Sequence, residues 1–209
     1  MEAIARARLN STKDVQDDGP RNILVNINGA VESGVFRGHR SLAVTYDFSY
    51  GPDWRIQEGP MLATNDSQYA ANENERSGLG GSSIVWNFPI SSTFSTTNPF
   101  GWPRLVLTCV DKQLVVRGYG AVLVPTCAGK YTRYVHMFSP RASSPLQDFL
   151  GWLLNAPAEF RDTKFPARNG DREVTRVQSA GVIKVTFNVT TKHMKHFGYT
   201  EGKTLSTSN

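Results

Sequence analysis

The sequence predicts an all-β protein, an antiparallel β-sandwich of about eight strands. Three observations point there. Short apolar stretches recur along the chain, several alternating apolar and polar residues at period two. Turn-forming residues separate them, with 18 glycines and 11 prolines in 209 residues. Strands do not alternate with helices, so a parallel sheet built from βαβ units is excluded. A chain of this length buries enough surface for a core without metals or disulfides.

Residues 1–21 are polar, mixed in charge and carry Gly19-Pro20, which predicts a flexible arm before a domain spanning 22–199. Ile23-Leu24-Val25-Asn26-Ile27 alternates and opens the first strand. Asn28-Gly29 is a strong hairpin dipeptide, so Val31 to Phe36 is expected to return as its partner. Leu42, Val44, Tyr46 and Phe48 mark a half-buried strand, which Tyr50-Gly51-Pro52-Asp53-Trp54 turns. Residues 56–83 hold few apolar anchors and the run Gly78-Leu79-Gly80-Gly81, which predicts a disordered insertion.

Ile84-Val85-Trp86-Asn87-Phe88 is expected to end at Pro89. Leu105 to Val110 is an apolar strand that Asp111-Lys112 turns into Leu114-Val115-Val116. Ala121 to Val124 follows after Gly118-Tyr119-Gly120, and Tyr131 to Phe138 alternates again. One amphipathic helix is predicted at about 144–155. Ser144-Pro145-Leu146-Gln147 supplies a cap, a first-turn proline and a glutamine at the third position, and Leu146, Phe149, Leu150, Leu153 and Leu154 repeat at helical spacing. Arg172 to Val177 and Val182 to Val189 read as two strands joined by Ser179-Ala180-Gly181. A short helix is expected over 191–197 and a flexible tail over 200–209.

Charge and composition exclude several functions. No apolar run approaches the roughly 18 residues of a membrane-spanning helix, and the N-terminal stretch lacks the apolar segment of a secretory leader. Cys109 and Cys127 are far apart, as expected for reduced thiols of a cytosolic protein. The net charge of +5 comes from scattered cations. A solvated face explains them better than nucleic acid, and no nucleic-acid partner is expected. The densest basic cluster, Lys192, His193, Lys195 and His196, makes Lys192 and Lys195 the candidates for contact with acidic lipid.

No catalytic constellation is present. The chain lacks GxSxG, HExxH, a phosphate-binding glycine loop and a dinucleotide fingerprint. His193 and His196 alone make a weak metal pair, and no carboxylates cluster as calcium requires, so no metal or cofactor is expected. Cys109 sits in an apolar strand, where burial makes a thiol inert. The most unusual stretch is Thr97-Asn98-Pro99-Phe100-Gly101-Trp102-Pro103. Two prolines and a glycine fix a sharp turn around a large ring. It is a rigid corner packing Trp102 inward, an edge offered to a partner, or, least supported, a sugar platform. Phe100, Trp102, Arg117 and Tyr119 are the candidate residues for partner contact or for a structural corner, and Arg117 equally suits a salt bridge at the core edge.

Eight stretches, taken together, carry a family resemblance. They are Asn28-Gly29-Ala30-Val31-Glu32-Ser33, Tyr50-Gly51-Pro52-Asp53-Trp54, Val85-Trp86-Asn87-Phe88-Pro89-Ile90 and the 97–103 segment, followed by Val116-Arg117-Gly118-Tyr119-Gly120-Ala121-Val122, Arg172-Glu173-Val174-Thr175-Arg176-Val177, Phe187-Asn188-Val189 and Thr191-Lys192-His193-Met194. In this order they resemble the B9-domain family of ciliary transition-zone proteins, over roughly residues 22–199. The resemblance implies a C2-like sandwich and a non-enzymatic subunit of the Meckel-syndrome (tectonic-like) complex at the cilium base. Such a subunit supports cilium assembly and the diffusion barrier between plasma and ciliary membranes. The implied partners are the Meckel syndrome type 1 protein, B9 domain-containing protein 2 and other members of that complex. The implied location is the cytoplasm and cytoskeleton at the transition zone and basal body. The alternative is a calcium-independent peripheral binder of acidic phospholipids.

Overall fold

The computed structural model describes residues 21–36, 38–39, 41–59, 70–71, 83–140 and 177–199. The expected helix at 144–155, residues 1–20 and the 200–209 tail lie outside them. Nine strands form among the described residues: β1 (Ile23–Phe36), β2 (Ser41–Ser49), β3 (Trp54–Glu58), β4 (Ala70–Ala71), β5 (Ser83–Thr96), β6 (Arg104–Val110), β7 (Val116–Leu123), β8 (Gly129–Pro140) and β9 (Val177–Lys192). Their order is β3-β5-β1-β9-β8-β7-β6-β2-β4, and every pairing is antiparallel. A single residue pair, Tyr119↔Phe138, joins β7 to β8. The sheet therefore folds there into two halves that face each other, a C2-like sandwich. No α-helix occurs among the described residues.

Alternation builds the core. Ile23, Val25 and Ile27 of β1, Val44, Tyr46 and Phe48 of β2, Leu105, Leu107 and Cys109 of β6, and Val185, Phe187 and Val189 of β9 all point into one cluster. Side chains of alternate residues leave a strand on opposite faces, so β1 and β9 bury one set and leave the other more open, whereas β6 is buried on both faces, with Val106 and Thr108 covered as well. Phe94 sits among Phe48, Tyr50 and Trp54 at centroid distances of 5.2, 5.4 and 6.3 Å, all edge-on. Such pairs contribute about 0.5–1.5 kcal/mol each beyond area burial.

Four expectations need correcting. Asn28-Gly29 makes no turn: β1 runs through it, pairing β5 on one side and β9 on the other. A Cβ on Gly29 would overlap the Thr186 carbonyl, so this glycine serves a close backbone approach. Pro89 does not end its strand. It pairs with Ala30, while β3 reaches only Thr93–Thr96 of β5. Among the described residues the outer edge at Pro89 is open, and there a missing N–H costs no ladder bond. The Ser179-Ala180-Gly181 segment is likewise inside a strand and joins no two strands, while Gly118 and Gly120 lie within β7. Met137↔Gly181 is followed by Phe138↔Ser179, which leaves Ala180 as a bulge.

The fourth concerns the ends of predicted segments. Ordered structure continues into the expected insertion: Ile56 and Gln57 belong to β3, and Ala70–Ala71 pairs with Ser41 and Leu42. Residues 60–69 and 72–82 lie outside the description. At the other end of the domain the 191–197 helix shrinks to one 3-10 turn, Met194–Phe197. Thr191 and Lys192 stay in β9. His193 (φ 70°) and Gly198 (φ 80°) take left-handed conformations on either side, so only four residues remain for a helix.

Candidate interaction site

The 97–103 segment packs against the 50–54 turn, backbone to backbone. The Gly51 amide donates to the Gly101 carbonyl at 2.8 Å. A Cβ on Gly101 (φ 73°) would lie 2.6 Å from the Gly51 Cα, so glycine is required for both conformation and contact. Asn98 ties the segment together. Its side-chain oxygen accepts from the Phe100 amide at 3.1 Å, and its amide nitrogen donates to Asp53 at 3.2 Å. The Thr96 hydroxyl accepts from the Asn98 amide and donates to the Asn98 carbonyl.

Two indoles fill the space beneath. Trp54 is buried, and its Nε1–H donates to the Phe100 carbonyl at 2.8 Å. Trp102 is half-buried and meets Trp54 edge-on at 5.0 Å. The Trp102 Nε1 is buried with no hydrogen-bond partner among the described residues. Phe100, by contrast, is 78% exposed. A segment held by six hydrogen bonds and an indole pair thus presents one phenyl ring to solvent. Exposing a ring from so rigid a mount leaves little conformational entropy to lose when something covers it.

Arg117 and Tyr119 are not part of this corner. Both lie on β7. Arg104↔Leu123 stands at the Trp102 end of the β6–β7 hairpin and Val110↔Val116 at the other, so Arg117 is nearly the whole strand away. There Asp111 organises the turn. Its Oδ1 accepts from the Gln113 and Val115 amides at 2.9 and 3.0 Å. Its Oδ2 accepts from Arg117 Nε and Nη2 at 2.7 and 2.6 Å. Burial pushes the Asp111 carboxyl up, but the Val115 amide, Arg117 and the Gln113 amide outweigh it and hold the group below the ordinary range. Tyr119 is buried to 2% and paired with Thr108 and Phe138, which puts it in the interior.

Lys192 and Lys195 are both exposed. Register places them at the corner's end of the sheet. Trp54 and Ile23 both pair with Thr96, and Leu24 pairs with Lys192. Leu123 and Tyr199, 47% and 39% exposed, lie at that end as well. One end of the sandwich thus combines Phe100, smaller apolar surface and two lysines.

Among the described residues no three His, Cys, Asp or Glu side chains converge. Burial drives the Cys109 thiol far above its ordinary range and keeps it protonated. Burial, then the nearby Arg117, lowers His39. The sequence reading missed Trp54, Asn98 and Asp111 as supports. A signal existed for the first: Tyr50-Gly51-Pro52-Asp53-Trp54 and Asn98-Pro99-Phe100-Gly101-Trp102 share glycine, proline and tryptophan, the composition of two interlocking turns.

Comparison with known proteins places this geometry. The family model described as "Ciliary basal body-associated, B9 protein" matches residues 25–190. A protein named B9 domain-containing protein 1 from Xenopus laevis is 42% identical over 192 residues, covering 88% of this chain and 92% of its own. The Homo sapiens protein of that name is 40% identical, covering 88% and 89%. The Drosophila melanogaster one is 26% identical, covering 74% and 66%.

Proposed function

The chain belongs to the ciliary basal body-associated B9 protein family, and from that premise we propose that it is a non-enzymatic scaffold subunit of the transition-zone Meckel-syndrome (tectonic-like) complex. Its partners in this reading are the Meckel syndrome type 1 protein and B9 domain-containing protein 2. Its role is cilium assembly and the membrane diffusion barrier. The observation that carries it is Phe100, 78% exposed on the rigid Trp54–Trp102 corner. A buried aromatic anchor is the commonest centre of a protein interface. The test is affinity purification of the tagged chain from ciliated cells, beside Phe100→Ala. Recovery of both partners by the parent chain, and their loss in the variant, is the expected result. An absence of both from the parent purification sinks the reading.

The location of Lys192 and Lys195 at the same end favours a second reading, calcium-independent binding of acidic phospholipid. Each cation near an anionic surface contributes about 1 kcal/mol, and the attraction falls with salt. Flotation with liposomes containing phosphatidylserine, with and without calcium, separates the readings. Salt-sensitive, calcium-independent flotation lost in Lys192→Glu/Lys195→Glu supports the lipid reading. No flotation at low salt eliminates it.

A further inference from the structure

The joint between the two halves of the sheet has a specific shape. At Gly120 the β7 backbone runs against β8: a Cβ there would lie 2.9 Å from Val135 Cγ1 and 3.3 Å from the His136 carbonyl oxygen. Past Gly120 the two strands separate, since Tyr119↔Phe138 is their only pair. Between them opens a cleft of about 350 Å³, lined by Val122, Leu123, Pro125, Cys127, Tyr131 and Arg133 among others. From Gly129 to Met137, β8 is hydrogen-bonded to β9 on one side only. In an antiparallel ladder half the backbone groups of such a stretch point away from the partner strand. Among the described residues these N–H and C=O groups form an open strand edge beside an apolar cleft.

The edge is also positively charged. Lys130 and Arg133 are exposed. The Arg133 guanidinium lies 5.5 Å from the Tyr131 ring centroid, and no carboxylate meets it among the described residues. The sequence has no Asp or Glu between Asp111 and Asp148, and Glu32, the acid that feels the Lys130 charge across the sheet, is ion-paired with Lys184.

We propose that this edge takes an extended acidic segment of a partner protein as an added strand beside β8. Its backbone would complete the open hydrogen bonds, a carboxylate would meet Arg133, and an apolar side chain would enter the cleft over Val122 and Leu123. Main-chain bonds supply affinity in strand addition, and pockets for alternate side chains supply specificity. A second copy of this chain fits poorly, because β8 against β8 brings together two edges that both carry Lys130 and Arg133 and supplies no carboxylate from either strand. A lipid surface offers no ladder partner for unpaired backbone groups.

The inference rests on the reading of the chain as a binding subunit, but it concerns a surface other than the Phe100 corner. The test therefore uses the purified full chain and three nine-residue probes of alternating Thr and Val. One carries a central Asp, one a central Lys, and one is the Asp peptide N-methylated at every residue. The Asp peptide should slow amide hydrogen exchange within 129–137 and bind about tenfold tighter than the Lys peptide. The N-methylated peptide should not bind, and Arg133→Glu should reverse the charge preference. Unchanged exchange overturns the proposal. So does equal binding of the N-methylated probe, which would reduce the effect to charge alone, or a β8-mediated dimer seen by sedimentation that excludes the peptide. Failure of the probes while the two partners are still recovered through Phe100 removes the strand edge and leaves the subunit reading standing.

Discussion

The two ends of the β6–β7 hairpin are both corners, built from opposite chemistry. At the closed end Asp111 gathers two amides and the Arg117 guanidinium on its two oxygens. Both Asp111 oxygens are occupied within the turn, and what it shows to solvent is Lys112, Gln113 and Leu114, the last 75% exposed, with no aromatic ring among them. At the open end the Trp54–Trp102 pair, the Gly51–Gly101 backbone bond and the side chains of Thr96, Asn98 and Trp54 fix the 97–103 segment, yet Phe100 stays outside and the Trp102 Nε1 has no hydrogen-bond partner among the described residues. A turn that satisfies itself is architecture. A turn that spends its rigidity on holding an apolar ring in water has surface left for a partner, and that contrast separates a structural candidate from an interaction candidate on the same two strands.

Substitutions can break the contrast. The largest effect is expected at Trp54→Ala, which removes a buried indole from the Phe94 cluster and unseats the Phe100 carbonyl. Loss of about 3–5 kcal/mol in urea unfolding is expected, together with loss of the partner contact. A smaller loss would mean the corner is held by its backbone bonds alone.

Asp111→Ala should cost about 2–3 kcal/mol, since it removes the acceptor of two turn amides and of the Arg117 ion pair, and leave partner recovery intact. Its pH dependence sharpens the point. The folded Asp111 is held below its unfolded value, so its contribution is full above about pH 4 and disappears as pH falls through the folded value. The gap between parent and variant should therefore close in acid; a gap constant down to pH 2 would show that the carboxylate charge is irrelevant.

Trp102→Ala should cost about 2 kcal/mol, less than Trp54→Ala, because the ring is half-buried and its N–H is unpartnered. Phe100→Ala should change stability by no more than about 0.5 kcal/mol while abolishing the proposed partner contact. A stability loss as large as that of Trp102→Ala would place Phe100 in the architecture and erase the difference between the two corners.

Much of this was legible in the chain. Period-two alternation located the cores of β1, β2 and β8, because a strand that buries one face must write that face into every second residue, and a continuous apolar run located β6, which is buried on both faces. The odd composition of 97–103 marked the corner, since only glycine and proline allow two turns to interlock around indoles. The same signals misled where a residue has two uses. Asn28-Gly29 reads locally as a hairpin turn, but Gly29 is there for the Thr186 carbonyl, 157 residues away in the sequence from Gly29 to Thr186. Pro89 reads as a stop, yet it is tolerated where the β5 edge has no described neighbour. Arg117 and Phe100 looked alike as candidates until one was found bonded to Asp111 and the other in solvent.

The sequence by itself determined the class of fold, the alternation that selects the core and the family membership, because these depend on which side chains are apolar and in what local order. Register, the glycine contacts that bring β7 against β8, and the strand edge that no described strand covers beside Arg133 were decided only in three dimensions. Each depends on which distant backbone lies alongside, and no local pattern of residues encodes its neighbour across the sheet.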